Sequence, residues 1–163
     1  KRYPKEFEKF TPVCKTNQLE ECTQEEVSNA YDNAVMYVDY IVHSVIKTVK
    51  KINAYSCVLY FSDHGEEVYD NIEFSGHFRD KICTKNVYEV PMILWRSEVY
   101  KEKKTIYPHT NTKYMTDDLF HSIADLLSVK AKEVDSTRSI FSEFFNHRKR
   151  IVKDTVDYDN YFK

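Results

Sequence analysis

The stretch Tyr55-Ser56-Cys57-Val58-Leu59-Tyr60-Phe61-Ser62-Asp63-His64-Gly65-Glu66-Glu67 decides how this chain reads. Tyr55 to Ser62 is a nearly continuous run of β-forming, mostly apolar residues, the pattern of a strand buried on both faces. It ends in a hard carboxylate, an imidazole and a residue free to turn sharply. α/β proteins place their chemistry just beyond the carboxyl ends of strands. Asp and His are also common ligands of a divalent metal such as zinc. Only two glycines occur in the 163 residues, Gly65 and Gly76, and each adjoins a histidine, His64 or His77. Glycine so far below its usual ~7% marks both positions as purposeful.

Upstream of the strand, Thr23-Gln24-Glu25-Glu26 has the form of a capping box. Val27, Tyr31, Ala34, Val38, Ile41, Val45 and Val49 then recur at three- and four-residue spacing, which predicts one long helix to about Ile52 with an apolar stripe packed on a sheet. His43 lies at the edge of that stripe and reads as a boundary residue. Asn53-Ala54 makes the turn into the strand. Residues 1–22 read as an irregular arm containing Pro4, Pro12 and a cysteine pair.

Downstream, residues 65–86 are mostly polar and read as a long loop, a length uncommon unless functional or disordered. Val90-Pro91-Met92-Ile93-Leu94-Trp95 reads as a second buried strand, with Pro91 tolerable near its start. Thr116-Asp117-Asp118 is expected to cap a second helix, Asp117 to Leu127, whose acidic start suits the helix dipole. Ser139 to Phe145 is a short aromatic segment. Helix, strand, long loop, strand, helix is an α/β layout. Two strands make a small sheet, so the chain is expected to complete a larger one.

Composition excludes several classes. A hydrophobic fraction of 42% supports a core, and 24 basic against 26 acidic residues give a net charge of -2. A nucleic-acid-binding domain would need a dominant basic face, which is absent. The runs Lys101-Glu102-Lys103-Lys104 and His147-Arg148-Lys149-Arg150 read as solvated surface, with a phosphate-rich membrane surface as the sharper alternative. No stretch approaches the roughly 20 apolar residues of a membrane span, and no signal peptide is visible. The chain opens at Lys1 without Met and is expected to be a piece of something longer.

Four cysteines occur. Cys14 and Cys22 bracket a short polar loop and could close a disulfide contributing roughly 2–3 kcal/mol, which would imply an oxidising compartment. Cys57 reads as a buried thiol, and Cys83 follows His77. No CxxC pair points to a cysteine zinc site.

Asp63 and His64 are the candidate metal ligands, because a turn at Gly65 lets both reach one ion. On residues alone, the alternative is a capping Asp beside a hydrogen-bonded His. His77 could return across the loop as a third ligand or a substrate contact. Glu66 and Glu67 could add carboxylate charge, although such residues more often face water. Catalytic zinc usually has three or four ligands. No Ser here sits in a nucleophile elbow and no P-loop is present, so the chain reads as holding half a site.

The strand with Ser62-Asp63-His64-Gly65-Glu66 resembles the metal-binding signature of the alkaline phosphatase and sulfatase superfamily, and within it the phosphoethanolamine transferases of Gram-negative envelopes. The similarity extends over nearly the whole chain. It includes Lys1-Arg2-Tyr3-Pro4, Phe10 to Cys14, Cys22, Tyr31 to Ala34 and Tyr37 to Tyr40. It continues through Val90 to Trp95, Asp118 to Ile123, and Arg138 to Phe141.

The resemblance implies that residues 1–163 are the C-terminal part of an alkaline phosphatase-like three-layer α/β/α sandwich. That domain would be periplasmic and hung on inner-membrane helices. The resemblance further implies zinc, or another divalent metal, held by Asp63 and His64. A Glu ligand, a nucleophilic Thr and a His-Gly-Pro histidine would lie upstream of Lys1. His77 would correspond to a histidine that contacts substrate, although here it follows Phe74-Ser75-Gly76 rather than leading a His-Gly pair. The implied reaction moves phosphoethanolamine from phosphatidylethanolamine to lipopolysaccharide, on lipid A or the core, through a phospho-threonine intermediate. The run Asp63 to Asp70 looks closer to enzymes acting on core sugars. The isolated chain is then expected to be inactive and prone to self-association.

A sulfatase or phosphoglycerol transferase of the same superfamily is the enzyme alternative, and pairing of Cys14 with Cys22 favours the transferase. A non-catalytic structural or binding fragment is the other alternative.

Overall fold

A computed structural model describes residues 3–77 and 84–163. The chain divides into two compact units, Lys1–Lys101 and Glu102–Lys163.

In the first unit, helix α1 spans Gln24–Ile52. The capping box forms as expected: Thr23 Oγ1 accepts from the Glu26 amide at 3.2 Å, and the Glu26 carboxylate accepts from the Thr23 amide at 2.9 Å. The helix ends where Asn53 adopts a left-handed conformation (φ 48, ψ 44), a geometry Asn tolerates better than most residues. Strand β1 (Cys57–Phe61) pairs antiparallel with the later strand Met92–Arg96, Leu59 standing opposite Leu94. Ser97 fastens the open end of this pair. Its hydroxyl donates to Ala54 O at 2.8 Å and accepts from Ser56 N at 3.2 Å, while its own amide donates to Ser56 O at 2.9 Å.

The N-terminal arm is pinned to α1 by Asn33, which is fully buried. Its Oδ1 accepts from the amides of Lys9 and Phe10 at 2.7 and 3.0 Å, and its Nδ2 donates to Phe10 O at 2.8 Å. The Cys14–Cys22 disulfide is present, and the Cys14 amide donates to Glu26 O at 3.1 Å. The core of the unit gathers Tyr3, Val13, Val27, Val68, Val87 and Tyr100.

Three expectations are corrected here. The stretch 65–86 is not one irregular loop: β2 (Glu67–Val68) and β3 (Ser75–Gly76) form a small antiparallel hairpin inside it. β1 is half-buried rather than buried on both faces: its pairing with Met92–Arg96 covers an edge and neither face, Cys57 to Tyr60 are partly covered and Phe61 is exposed. The apolar stripe of α1 is largely open. Val27 is buried, yet Tyr31, Val38, Ile41 and Val45 are exposed. Cys57 is correspondingly half-buried, and what burial it has pushes its thiol pKa up. Cys83 lies outside the described residues.

The strand Met92–Arg96 is β4 and leads into the short helix α2 (Glu98–Lys103). In the second unit, Thr116–Asp118 does not cap the next helix; it forms a 3-10 turn that runs into α3 (Leu119–Leu126). Ser122, Ser139 and Ser142 of this unit make side-chain bonds to backbone. Ser122 Oγ donates to Asp118 O at 2.6 Å and accepts from Ile140 N at 3.1 Å, seating buried Ile140 and Phe141 against the helix. Buried Asp118 takes both Arg138 (3.3 Å) and Arg148. A hairpin of β5 (Ile151–Val152) and β6 (Val156–Asp157) leads into a final turn of helix, α4 (Tyr158–Tyr161). The basic run 147–150 is therefore not simply solvated: Arg148 pairs with Asp118, and Arg150 pairs with Asp159 while lying over the Tyr158 ring at 4.3 Å.

Candidate metal centre at the end of the first strand

β1 ends at Phe61, and the next four residues build the candidate site. Ser62 Oγ donates to the His64 carbonyl at 2.7 Å, which curls the chain back on itself directly after the strand. His64 Nδ1 lies 2.8 Å from Gly65 O. A carbonyl only accepts, so Nδ1 carries the proton and the lone pair of the neutral ring sits on Nε2. Asp63 and His64 are both exposed. Among the described residues, no hydrogen bond or ion pair engages the Asp63 carboxylate.

Gly65 makes this geometry possible through close approach. Its amide donates to Val87 O at 2.9 Å, and a Cβ placed on it would lie 1.8 Å from Asn86 O and 2.9 Å from Glu89 O. No side chain fits there. The 85–89 segment therefore buttresses the turn that carries Asp63 and His64.

The hairpin β2–β3 then returns the chain to the same place. Glu67 stands opposite Gly76, and His77 follows immediately. The His64 and His77 rings meet with centroids 4.1 Å apart and planes tilted by 42°. The structure thus brings together His64 and His77, thirteen positions apart in sequence. No three His, Cys, Asp or Glu side chains gather into a ligand set among the described residues.

Glu67 was expected to face water and instead is fully buried. Its Oε1 accepts from the Asn71 amide at 2.8 Å. Its Oε2 accepts from Asn71 Nδ2 at 3.1 Å and from the Thr84 hydroxyl. Burial pushes the carboxyl up. The hydrogen bonds from Thr84 and Asn71 together outweigh that and hold it below the ordinary glutamate value. No local sequence signal marks it, since Asn71 and Thr84 become its partners only once the hairpin has formed.

The donor set fits zinc as far as it goes. A free carboxylate and an imidazole with its lone pair on Nε2 are the ligand types that ion takes, and the Nδ1–H bond to a carbonyl is the usual orienting partner of a ligating histidine.

The chain is similar to known proteins over most of its length. "Phosphoethanolamine transferase EptA" of Escherichia coli (strain K12) is 36% identical over 139 residues, covering 80% of this chain and 25% of that protein. "Phosphoethanolamine transferase EptC" of the same strain is 34% identical over 143 residues, covering 82% of this chain and 25% of that protein. The crystal structure of the C-terminal periplasmic domain of EcEptC from Escherichia coli, in complex with Zn, superposes with a TM-score of 0.81 at 33% identity, over 97% of this chain and 47% of that one. The fold is accordingly α/β of the kind seen in those periplasmic domains. The chain spans about a quarter of the length of the curated relatives it matches and about half of the solved domain. The sulfatase family profile matches residues 1–129, and the chain belongs to the sulfatase family.

Proposed function

We propose that this chain is the C-terminal part of the catalytic domain of a phosphoethanolamine transferase, with zinc held in part by Asp63 and His64. The observation that carries the reading is the superposition of 97% of the chain on the zinc-complexed EptC domain. The reaction moves phosphoethanolamine from phosphatidylethanolamine to lipopolysaccharide through a phospho-threonine intermediate, with the threonine and the remaining ligands supplied from outside this chain. Zinc, when bound, supplies Lewis-acid polarisation of a phosphoryl oxygen.

The chain's own residues do the following. Asp63 presents its carboxylate and His64 its Nε2 to the ion. Gly65 keeps both at the strand end by admitting the 85–89 backbone. His77, its ring against that of His64, meets the oxygen entering or leaving the phosphoryl group. The protein works on the periplasmic side of the inner membrane, anchored by segments outside this chain; no helix among the described residues is long and apolar enough to cross a membrane. The isolated chain is inactive and self-associates through the open face of α1.

Zinc content and transfer from a fluorescent phosphatidylethanolamine, measured on the full-length protein, test this. Stoichiometric zinc and lipid-dependent transfer, both lost in Asp63→Ala and His64→Ala, are expected. A full-length protein that binds no zinc overturns the metal role of Asp63 and His64. One that cleaves aryl sulfates but leaves the lipid untouched is a sulfatase.

A further inference from the structure

Glu67, the one buried carboxylate among the described residues of the first unit, is not among the candidate ligands, yet it lies three residues beyond His64 and opposite the residue before His77. Its hydrogen bonds hold the hairpin from two sides. The Asn71 amide and side chain close the turn after β2, and Thr84 ties in the chain beyond β3. The turn itself needs such support. Tyr69 has a positive φ of 62, a costly conformation for a bulky residue, and its amide reaches Phe74 O at 3.0 Å. Strands of two residues supply too few ladder bonds to fix a register alone.

From this geometry we infer that Glu67 is a positioning residue for the transfer reaction: it locks the β2–β3 hairpin in the register that sets the His77 ring against His64. The inference rests on the transferase reading for the word "transfer", while the clamp itself is a property of the fold. Both oxygens of Glu67 accept from Asn71, at its amide and at Nδ2, so an amide in place of the carboxylate sets a donor against one of those two donors. A shift of the hairpin by one residue would turn His77 to the opposite face. Misplacing a group beside a reacting centre by about 1 Å costs on the order of 100-fold in rate.

The test uses the full-length protein with Glu67→Gln, Thr84→Val, Thr84→Ser, His77→Ala and the double variant Glu67→Gln/His77→Ala. Two readouts are taken: hydrogen exchange of the amides of residues 75–77 against those of α1, and kcat and KM for lipid transfer. Faster exchange at 75–77 with α1 unchanged is expected in Glu67→Gln and Thr84→Val, with Thr84→Ser restoring protection. Turnover should fall roughly 10- to 100-fold in Glu67→Gln with KM little changed. Adding Glu67→Gln to His77→Ala should cost nothing further, because the two act as one unit. Wild-type exchange at 75–77 in Glu67→Gln, or losses that multiply in the double variant, would overturn the inference. If the wild-type protein transfers no phosphoethanolamine, the transferase reading fails by itself, and the exchange data alone decide whether Glu67 is the clamp.

Discussion

The His64 and His77 rings meet at a tilt of 42° with centroids 4.1 Å apart although they lie thirteen positions apart in the sequence. Two short devices create that contact. Gly65 lets the chain turn hard against the 85–89 backbone, and the β2–β3 hairpin brings the chain back. Each is a single-residue dependency, and each can be broken separately.

Gly65→Ala attacks the first device. The added methyl would sit 1.8 Å from Asn86 O, a backbone atom that cannot swing aside. The neighbouring segment must move, breaking the bond from Gly65 N to Val87 O. A destabilisation of about 3 kcal/mol is expected from such overpacking, measured by urea unfolding with zinc removed. Unchanged stability would mean that the 85–89 segment is not packed as described.

The disulfide closes a loop of sequence separation 8 just ahead of the α1 cap. Chain-entropy reasoning gives it about 2.5 kcal/mol. The double variant Cys14→Ser/Cys22→Ser should lower unfolding stability by about that amount and loosen the arm. Reductant should then do nothing further to the variant. A reductant effect of similar size in the variant would show that another thiol pair is responsible.

What could be read from the sequence follows the range of the interaction. The capping box at Thr23 and the span Gln24–Ile52 were legible because the signals lie within four residues of the bonds they make. Periodicity along α1 identified which face is apolar; it could not tell that Val38, Ile41 and Val45 would stand open, since that depends on what lies across from them. The place of Asp63 and His64 just past the end of β1 was legible from the β-forming run before them. His77 was raised as a candidate by its place beside one of only two glycines, but no local pattern says that a ring thirteen positions away returns to His64. Glu67 was misread for the same reason. Beside Glu66 it looks like one of two solvated carboxylates, and its partners Asn71 and Thr84 are defined only once two-residue strands pair. The Thr116–Asp118 cap was misplaced by a turn, since polar residues that favour a cap also suit a 3-10 turn.

Asn33 offers a test of how the arm is held. With no exposure and bonds to Lys9 N, Phe10 N and Phe10 O, its amide does the work of a strand partner for an irregular segment. Asn33→Ala leaves those three backbone groups without their partner. A loss of about 2–4 kcal/mol is expected. Asn33→Asp, which keeps the acceptor and loses the donor, should fall between the two. Limited proteolysis should cut first within residues 3–14 in the Ala variant. Cleavage elsewhere with the arm intact would contradict the staple.

Asp159 sets the acid response of the second unit. Its carboxylate takes Arg150 through two bonds, 2.7 and 3.2 Å, and Lys113 at 2.6 Å. The hydrogen bonds from Arg150, then those from Lys113, drive its pKa far below the ordinary aspartate value. A group whose folded pKa is depressed stabilises the fold above its unfolded pKa, about 3.9, and loses that contribution as pH falls through the folded value. Asp159→Asn should therefore be less stable than wild type by about 1 kcal/mol at pH 7, with the gap constant from pH 8 to 5. Below about pH 4 the gap should begin to close, and it should vanish only in stronger acid. Unfolding midpoints of the two proteins across that range measure it. A gap that widens on acidification has the wrong sign for this ion pair, and one that closes between pH 7 and 6 would point to a histidine instead of Asp159.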